Sequence, residues 1–138
     1  MEKFIKDISV KAGKISLRYF GKRSNTWKAK SNPLDLVTKG DLSVNKFLVN
    51  VIKAKYPDHG IISEEMGEHN AEAKYIWTID PIDGTANFAR GIPLYAVIIS
   101  LIVKGKVELA AVYDPINKNL FFAKRKGGAF LNGKKIKC

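Results

Sequence analysis

Ile79-Asp80-Pro81-Ile82-Asp83-Gly84-Thr85-Ala86-Asn87-Phe88 sets two carboxylates three residues apart, with Pro81 between them and Gly84-Thr85 directly behind. The apolar run upstream, Tyr75-Ile76-Trp77-Thr78-Ile79, reads as a β-strand. A strand that ends in Asp-Pro-x-Asp-Gly-Thr presents charged oxygens on a stiff turn, because proline fixes its own φ. Ile82 is then placed to turn its carbonyl toward the centre the two carboxylates share. Gly84 permits close backbone approach, Thr85 supplies a hydroxyl that holds a water, and the N–H groups opening the next element stay available. Hard divalent cations take carboxylate and carbonyl oxygens, and phosphate takes oriented N–H donors. The stretch points to metal-assisted phosphate chemistry.

On the N-terminal side, Phe4, Ile5, Ile8, Ala12, Ile15 and Tyr19 recur at helical steps, predicting an amphipathic helix that ends near Gly21. Asn25 to Pro33 is polar and irregular and reads as a loop. Thr38 or Asp41 then caps a second helix whose buried stripe is Val44, Phe47, Leu48, Val51 and Ile52, stopped by Pro57. From His59 the period shortens: His59 to Glu64 reads as a short strand, and Met66 to Lys74 as a loop. Beyond the opening stretch, Leu94 to Val103 is nearly all apolar, as in a central strand covered on both faces. Lys104-Gly105-Lys106 signals a tight turn, Val107 to Tyr113 the return strand, and Leu120 to Lys124 a further strand after Asp114-Pro115-Ile116-Asn117. Gly127-Gly128 and Asn132-Gly133 mark a last hairpin. The expectation is an α+β fold, with two N-terminal helices packed on a mainly antiparallel sheet.

At 138 residues the chain is one domain large enough to bury a core, and its 46% apolar and 27% charged residues are those of a globular protein. The longest apolar stretch, Ile92 to Val103, contains Pro93 and Ser100 and falls short of the ~20 residues a membrane span needs. Met1-Glu2-Lys3-Phe4 opens straight into the amphipathic pattern, without a secretory signal. A single cysteine, Cys138, excludes a disulfide framework and fits the reducing cytoplasm. The net charge of +11 admits two readings. One is a surface for RNA or another polyanion; the other is a lysine-rich, solvated exterior. Only Arg18, Arg23, Arg90 and Arg125 are arginines, and no basic run is interleaved with aromatics, which favours the second.

Asp35, Asp41, Glu64, Glu65, Asp80 and Asp83 fall at the ends of predicted elements. Each alone is explained as a cap or turn former. Taken together, acids that terminate two strands repel one another unless a cation neutralises them.

Three separated motifs, Asp35-Leu36-Val37-Thr38-Lys39-Gly40-Asp41, Ser63-Glu64-Glu65 and Trp77 to Phe88, resemble those of the inositol monophosphatase family of lithium-sensitive, magnesium-dependent sugar phosphatases. Val112-Tyr113-Asp114-Pro115 and Gly127 to Gly133 resemble it as well. The resemblance implies the N-terminal half of a layered αβαβα fold. It implies a first Mg2+ on Glu64, Asp80 and the Ile82 carbonyl, and a second on Asp80 and Asp83. Thr85, paired with Asp41, would activate the attacking water. Gly84, Thr85 and Asp83 would receive the substrate, with inositol 1-phosphate the implied ester, and Lys30 stands where the family has a lysine near the site. Related sugar or nucleotide phosphates remain alternative substrates, and binding to RNA or the transcription machinery is the non-catalytic alternative.

The resemblance covers only the first half of the family pattern. Residues 1–138 are therefore expected to be an N-terminal metal-binding domain, either a shortened product or part of a larger protein. The C-terminal Trp-Asp-x-Ala-Ala-Gly motif, whose Asp completes the second metal site, is absent, so weak activity is expected of this chain. An uncovered apolar surface is expected to pair with a second copy or with the missing half. Ala86 replaces a Thr common in the family and should weaken only a peripheral contact.

Overall fold

Helix α1 spans Glu2–Ser16 and helix α2 spans Lys39–Lys55 in the computed structural model, which describes residues 1–22, 27–29 and 36–137. In α1, Ile5, Ile8 and Ala12 form the buried face that the three- and four-residue spacing predicts. Turns bonded back to Ser16 continue it as far as Phe20, and Gly21, at φ +64°, closes them where the helix end is expected. The choice between Thr38 and Asp41 resolves into a reciprocal cap. Thr38 Oγ1 accepts from the Gly40 and Asp41 N–H groups, while Asp41 Oδ2 accepts from the Thr38 N–H at 2.9 Å.

The strands are β1 (Trp27–Ala29), β2 (Leu36–Thr38), β3 (Gly60–Ser63), β4 (Gly67–His69), β5 (Tyr75–Asp83), β6 (Ala96–Val103), β7 (Lys106–Asp114), β8 (Asn119–Lys124), β9 (Gly128–Leu131) and β10 (Lys134–Ile136). A short helix α3, Thr85–Ala89, follows β5. β1 and β2 form a separate antiparallel ribbon; the others form one sheet in the order β10-β9-β8-β7-β6-β5-β3-β4. Every pairing in that sheet is antiparallel except β3 with β5. The α+β expectation holds, with two corrections at segments read as loops. Trp27–Ala29 and Gly67–His69 are three-residue strands, too short for a period-two pattern to register.

Both long helices lie on one sheet face. Val44, Leu48 and Ile52 of α2, with the α1 stripe, bury Trp77, Ile79, Val97, Ile99, Leu101, Leu109, Ala111 and Phe122. This overturns the expectation for the apolar run of β6. Val97, Ile99 and Leu101 are buried, but Ile98, Ser100 and Ile102 face the other way and stay partly exposed among the described residues. Val112 pairs with Ile98 and Phe121 pairs with Val112, so that second face continues across β7 and β8 to Phe121, which is 40% exposed. No helix of the described residues is long and apolar enough to cross a membrane.

Two aromatic groups complete the packing. His59 is stacked between Tyr56 and Tyr75 at 4.7 and 4.8 Å. Its Nδ1 accepts the Trp77 indole N–H at 3.0 Å, so the ring satisfies a buried donor. Near α3, Phe88 meets Tyr95 edge-on at 4.8 Å and packs with Ile82. Gly40, in the first turn of α2, leaves the space Phe88 fills: a Cβ there would lie 2.7 Å from the ring and 3.2 Å from Ile82 Cδ1. Gly40→Ala is expected to lower stability by about 1–3 kcal/mol through overpacking. A chemical denaturation curve unchanged by the substitution would contradict this contact.

Candidate active site

The parallel pairing of β3 with β5 builds the site. Parallel strands finish at the same end of a sheet, and Ser63 is in register with Ile79. The residues that follow, Glu64 and Asp80, are therefore level with each other, and the Glu64 N–H donates to the Ile79 carbonyl at 3.2 Å. The sequence reading ends the strand at Ile79, but β5 continues to Asp83 through an irregularity between Asp80 and Asp83. Pro81 has no N–H to give a ladder, and the irregularity falls where that donor is missing. It turns the chain so that Ile82 is buried while Asp83 is exposed.

Asp80 carries the electrostatic signature of the site. Burial raises its pKa first, the neighbouring Glu64 and Asp83 charges add to this, and a side-chain hydrogen bond with Glu64 acts in the same direction, reaching about 7. Its Oδ1 is buried and has no hydrogen-bond partner among the described residues. A carboxylate oxygen held out of water beside other acids is an arrangement that a hard cation relieves. The donor set (carboxylates of Glu64, Asp80 and Asp83, with the Ile82 carbonyl) is all oxygen and so fits Mg2+ in kind. Among the described residues no three His, Cys, Asp or Glu side chains already converge into a metal cage. Glu64 and Asp80 are the acids in mutual contact, and Asp83 stands at the exposed strand end.

Thr85 opens α3 behind Gly84, whose φ is +89° and whose Cβ position would lie 3.0 Å from the Leu94 carbonyl oxygen. No side chain caps this helix. The Thr85 hydroxyl lies 3.1 Å from Asp41 Oδ1 and 2.9 Å from the Ile82 carbonyl and donates its hydrogen bond to one or the other. Asp41 is 1% exposed; burial pushes its pKa up, against the pull of the bonds from Thr38 and Thr85. The paired Thr85 and Asp41 of the sequence reading are thus in contact. Lys30 and Asp35 lie outside the described residues.

Sequence reasoning missed two participants. Thr38 grips Asp41 through both its N–H and its hydroxyl, at 2.9 and 2.5 Å, and the Thr38-x-x-Asp41 spacing of a capping box was the available signal. Ser63 donates its hydroxyl to Asn45 Oδ1 at 2.5 Å and accepts from the Glu65 N–H at 3.3 Å. An asparagine on the buried stripe of α2, between Val44 and Leu48, was the clue.

Two helices on one face of a mainly antiparallel sheet, with an acidic strand end beside a hydroxyl and a helix opening, define an α+β architecture with its polar groups gathered at one sheet end. The chain belongs to the inositol monophosphatase family, whose sequence pattern matches residues 1–138. It is 40% identical over 130 residues to a histidinol-phosphatase of Chlorobaculum parvum, covering 94% of this chain and 50% of that protein. It is 38% identical over 128 residues to the Nus factor SuhB of Salmonella typhimurium, covering 92% and 48%. Among solved structures, the extragenic suppressor protein suhB from Bartonella henselae superposes with a TM-score of 0.92 at 33% identity, covering 96% of this chain and 52% of that one. An IMPase/NADP phosphatase complexed with Mg2+ and phosphate gives a TM-score of 0.79 at 31% identity, covering 98% and 50%. The chain spans about half the length of the curated relatives it matches.

The raised Asp80 pKa has a consequence for stability. Between the ordinary 3.8 and about 7, the metal-free folded state keeps a proton that the unfolded state has released. Asp80 therefore makes folding less favourable as pH rises through that window. Burial of His59 lowers its pKa from 6.5 and works in the opposite direction, so the comparison with Asp80→Asn isolates the carboxyl. The melting temperature of the unaltered metal-free protein, relative to that variant, is expected to fall from pH 4 to pH 7. Parallel melting profiles over this range would refute it.

Proposed function

We propose that residues 1–138 are the N-terminal metal-binding domain of a magnesium-dependent phosphomonoester hydrolase of the inositol monophosphatase type. The observation that carries the reading is the buried Asp80 Oδ1, without a partner among the described residues and beside a second carboxyl group. In this reading Glu64, Asp80 and the Ile82 carbonyl hold a first Mg2+. Asp80 and Asp83 contribute to a second, which lacks the ligand the family draws from the other half. When bound, the ions acidify a water and neutralise charge developing on the phosphoryl group.

The chain's own groups supply orientation. The Thr85 hydroxyl donates to Asp41 Oδ1, leaving its oxygen lone pairs to accept from the attacking water. Gly84 and Thr85 offer N–H groups to the phosphate oxygens, and Asp83 borders the substrate. Inositol 1-phosphate is the proposed ester, released as inositol and phosphate, and lithium inhibition accompanies this assignment. Histidinol phosphate, the substrate class in the name of the Chlorobaculum parvum relative, differs in its alcohol and is the natural control, with sugar and nucleotide phosphates beside it. A non-catalytic role on RNA or the transcription machinery, to which the name Nus factor SuhB points, draws on the exposed Lys134, Lys135 and Lys137.

Mn2+, read by EPR in place of Mg2+, tests the centre. The chain is expected to take up the ion saturably, and Asp80→Asn to weaken uptake by about tenfold or more. Absence of saturable uptake by the unaltered chain would sink the proposal. Hydrolysis of inositol 1-phosphate by the 138-residue chain with Mg2+ is expected to be slow or absent; robust turnover would overturn the incompleteness of the second site.

The second sheet face belongs to the same reading, as the surface covered by another polypeptide layer, either a second copy or the remaining half of such a protein. Sedimentation of the isolated chain is expected to show concentration-dependent self-association that Val112→Asp reduces. A strictly monomeric chain at high concentration would count against self-pairing.

A further inference from the structure

Asn45 is a buried amide on a helix stripe otherwise built from Val44, Leu48, Val49 and Ile52; it is 2% exposed. Its Oδ1 accepts the hydroxyl of Ser63, the last residue of β3, which is 3% exposed. A buried polar pair between apolar neighbours is not required for stability, since replacing both partners by apolar groups of similar shape is often close to neutral. What this pair does is mechanical. The Ser63 oxygen, held by α2, also receives the Glu65 N–H, while the intervening Glu64 N–H is held by the Ile79 carbonyl. Three consecutive residues are thus tethered, and the middle one is Glu64.

The same helix face also reaches the hydroxyl side of the site. Asp41 and Asn45 are four residues apart, on one face of α2. Asp41 contacts the Thr85 hydroxyl, and Asn45 contacts the turn presenting Glu64. One helix face therefore sets the spacing between the hydroxyl side and the carboxylate side of the site. We propose that Asn45, acting through the Ser63 hydroxyl, is a positioning residue that holds Glu64 against Asp80 for cation binding. The proposal rests on the reading of Glu64 as a metal ligand.

The test compares Mn2+ affinity by EPR and melting temperature in the unaltered chain, Ser63→Ala, Ser63→Thr, Asn45→Ala and the double variant Asn45→Ala/Ser63→Ala. Outer-layer hydrogen bonds behind metal ligands shift affinity by roughly 10–100-fold, and this one acts through the backbone, so a loss of about tenfold is expected for Ser63→Ala and Asn45→Ala. Ser63→Thr, which keeps the hydroxyl, should restore the affinity. The double variant should be no weaker than the single ones, because both break the same tether. A bond with only a structural role would lower the melting temperature and leave the affinity unchanged, and that result overturns the proposal. Failure of the unaltered chain to bind Mn2+ overturns the reading of the site and the positioning role with it, an outcome distinct from equal binding by all five proteins.

Discussion

The arrangement depends on one parallel strand pairing in an otherwise antiparallel sheet. Antiparallel neighbours finish at opposite ends, so two hairpin-connected strands deliver their terminal residues away from each other. β3 and β5 escape this because β4 intervenes in sequence but not in the sheet: it folds back on the outer side of β3, and the chain then crosses to the inner side. Glu64 and Asp80 meet as a result. The remaining polar groups follow from that meeting, since α2 packs across the same strands and brings Asp41 and Asn45 to the same end.

The site is assembled against its own electrostatics. Asp80 is half-buried among acids and retains its proton up to about pH 7, while Asp41 is almost fully buried and needs three hydrogen bonds from Thr38 and Thr85 to be accommodated. A chain selected for stability alone would not place carboxylates so. The cost is met by the aliphatic layer beneath, where Trp77, Ile79, Val97 and Ile99 bury nearly all their surface against the helices. Rigidity there lets two or three polar residues stay in an unfavourable setting.

Much of this was legible in the chain. Helical spacing placed α1 and α2, the turn signals separated β6, β7 and β8, and the resemblance carried by Asp-Pro-Ile-Asp-Gly-Thr led to the family that residues 1–138 match. The failures share a physical origin. Three-residue strands at Trp27–Ala29 and Gly67–His69 form because a neighbour offers backbone partners, which no local pattern encodes. The apolar run of β6 alone reads as covered on both faces, and the expectation of an uncovered apolar surface came from the family resemblance instead, because periodicity reports which residues are apolar and not what packs on them. Ser63 and Asn45 were invisible as a pair, since eighteen residues separate them and only the packing of α2 on β3 joins them.

From β5 to β10 each strand pairs with its immediate successor, whereas α1 packs against β6, β7 and β8, roughly a hundred residues away. Contacts close in sequence form with little loop entropy to overcome, and distant ones come late. The meander is therefore built from contacts close in sequence, while the opening helix bridges α2 and strands much further along the chain. The apolar stripe of Ile5, Ile8 and Ala12 thus takes its cover both from α2 nearby in sequence and from strands far along it. The opening helix ties the start of the sequence to the middle of the meander.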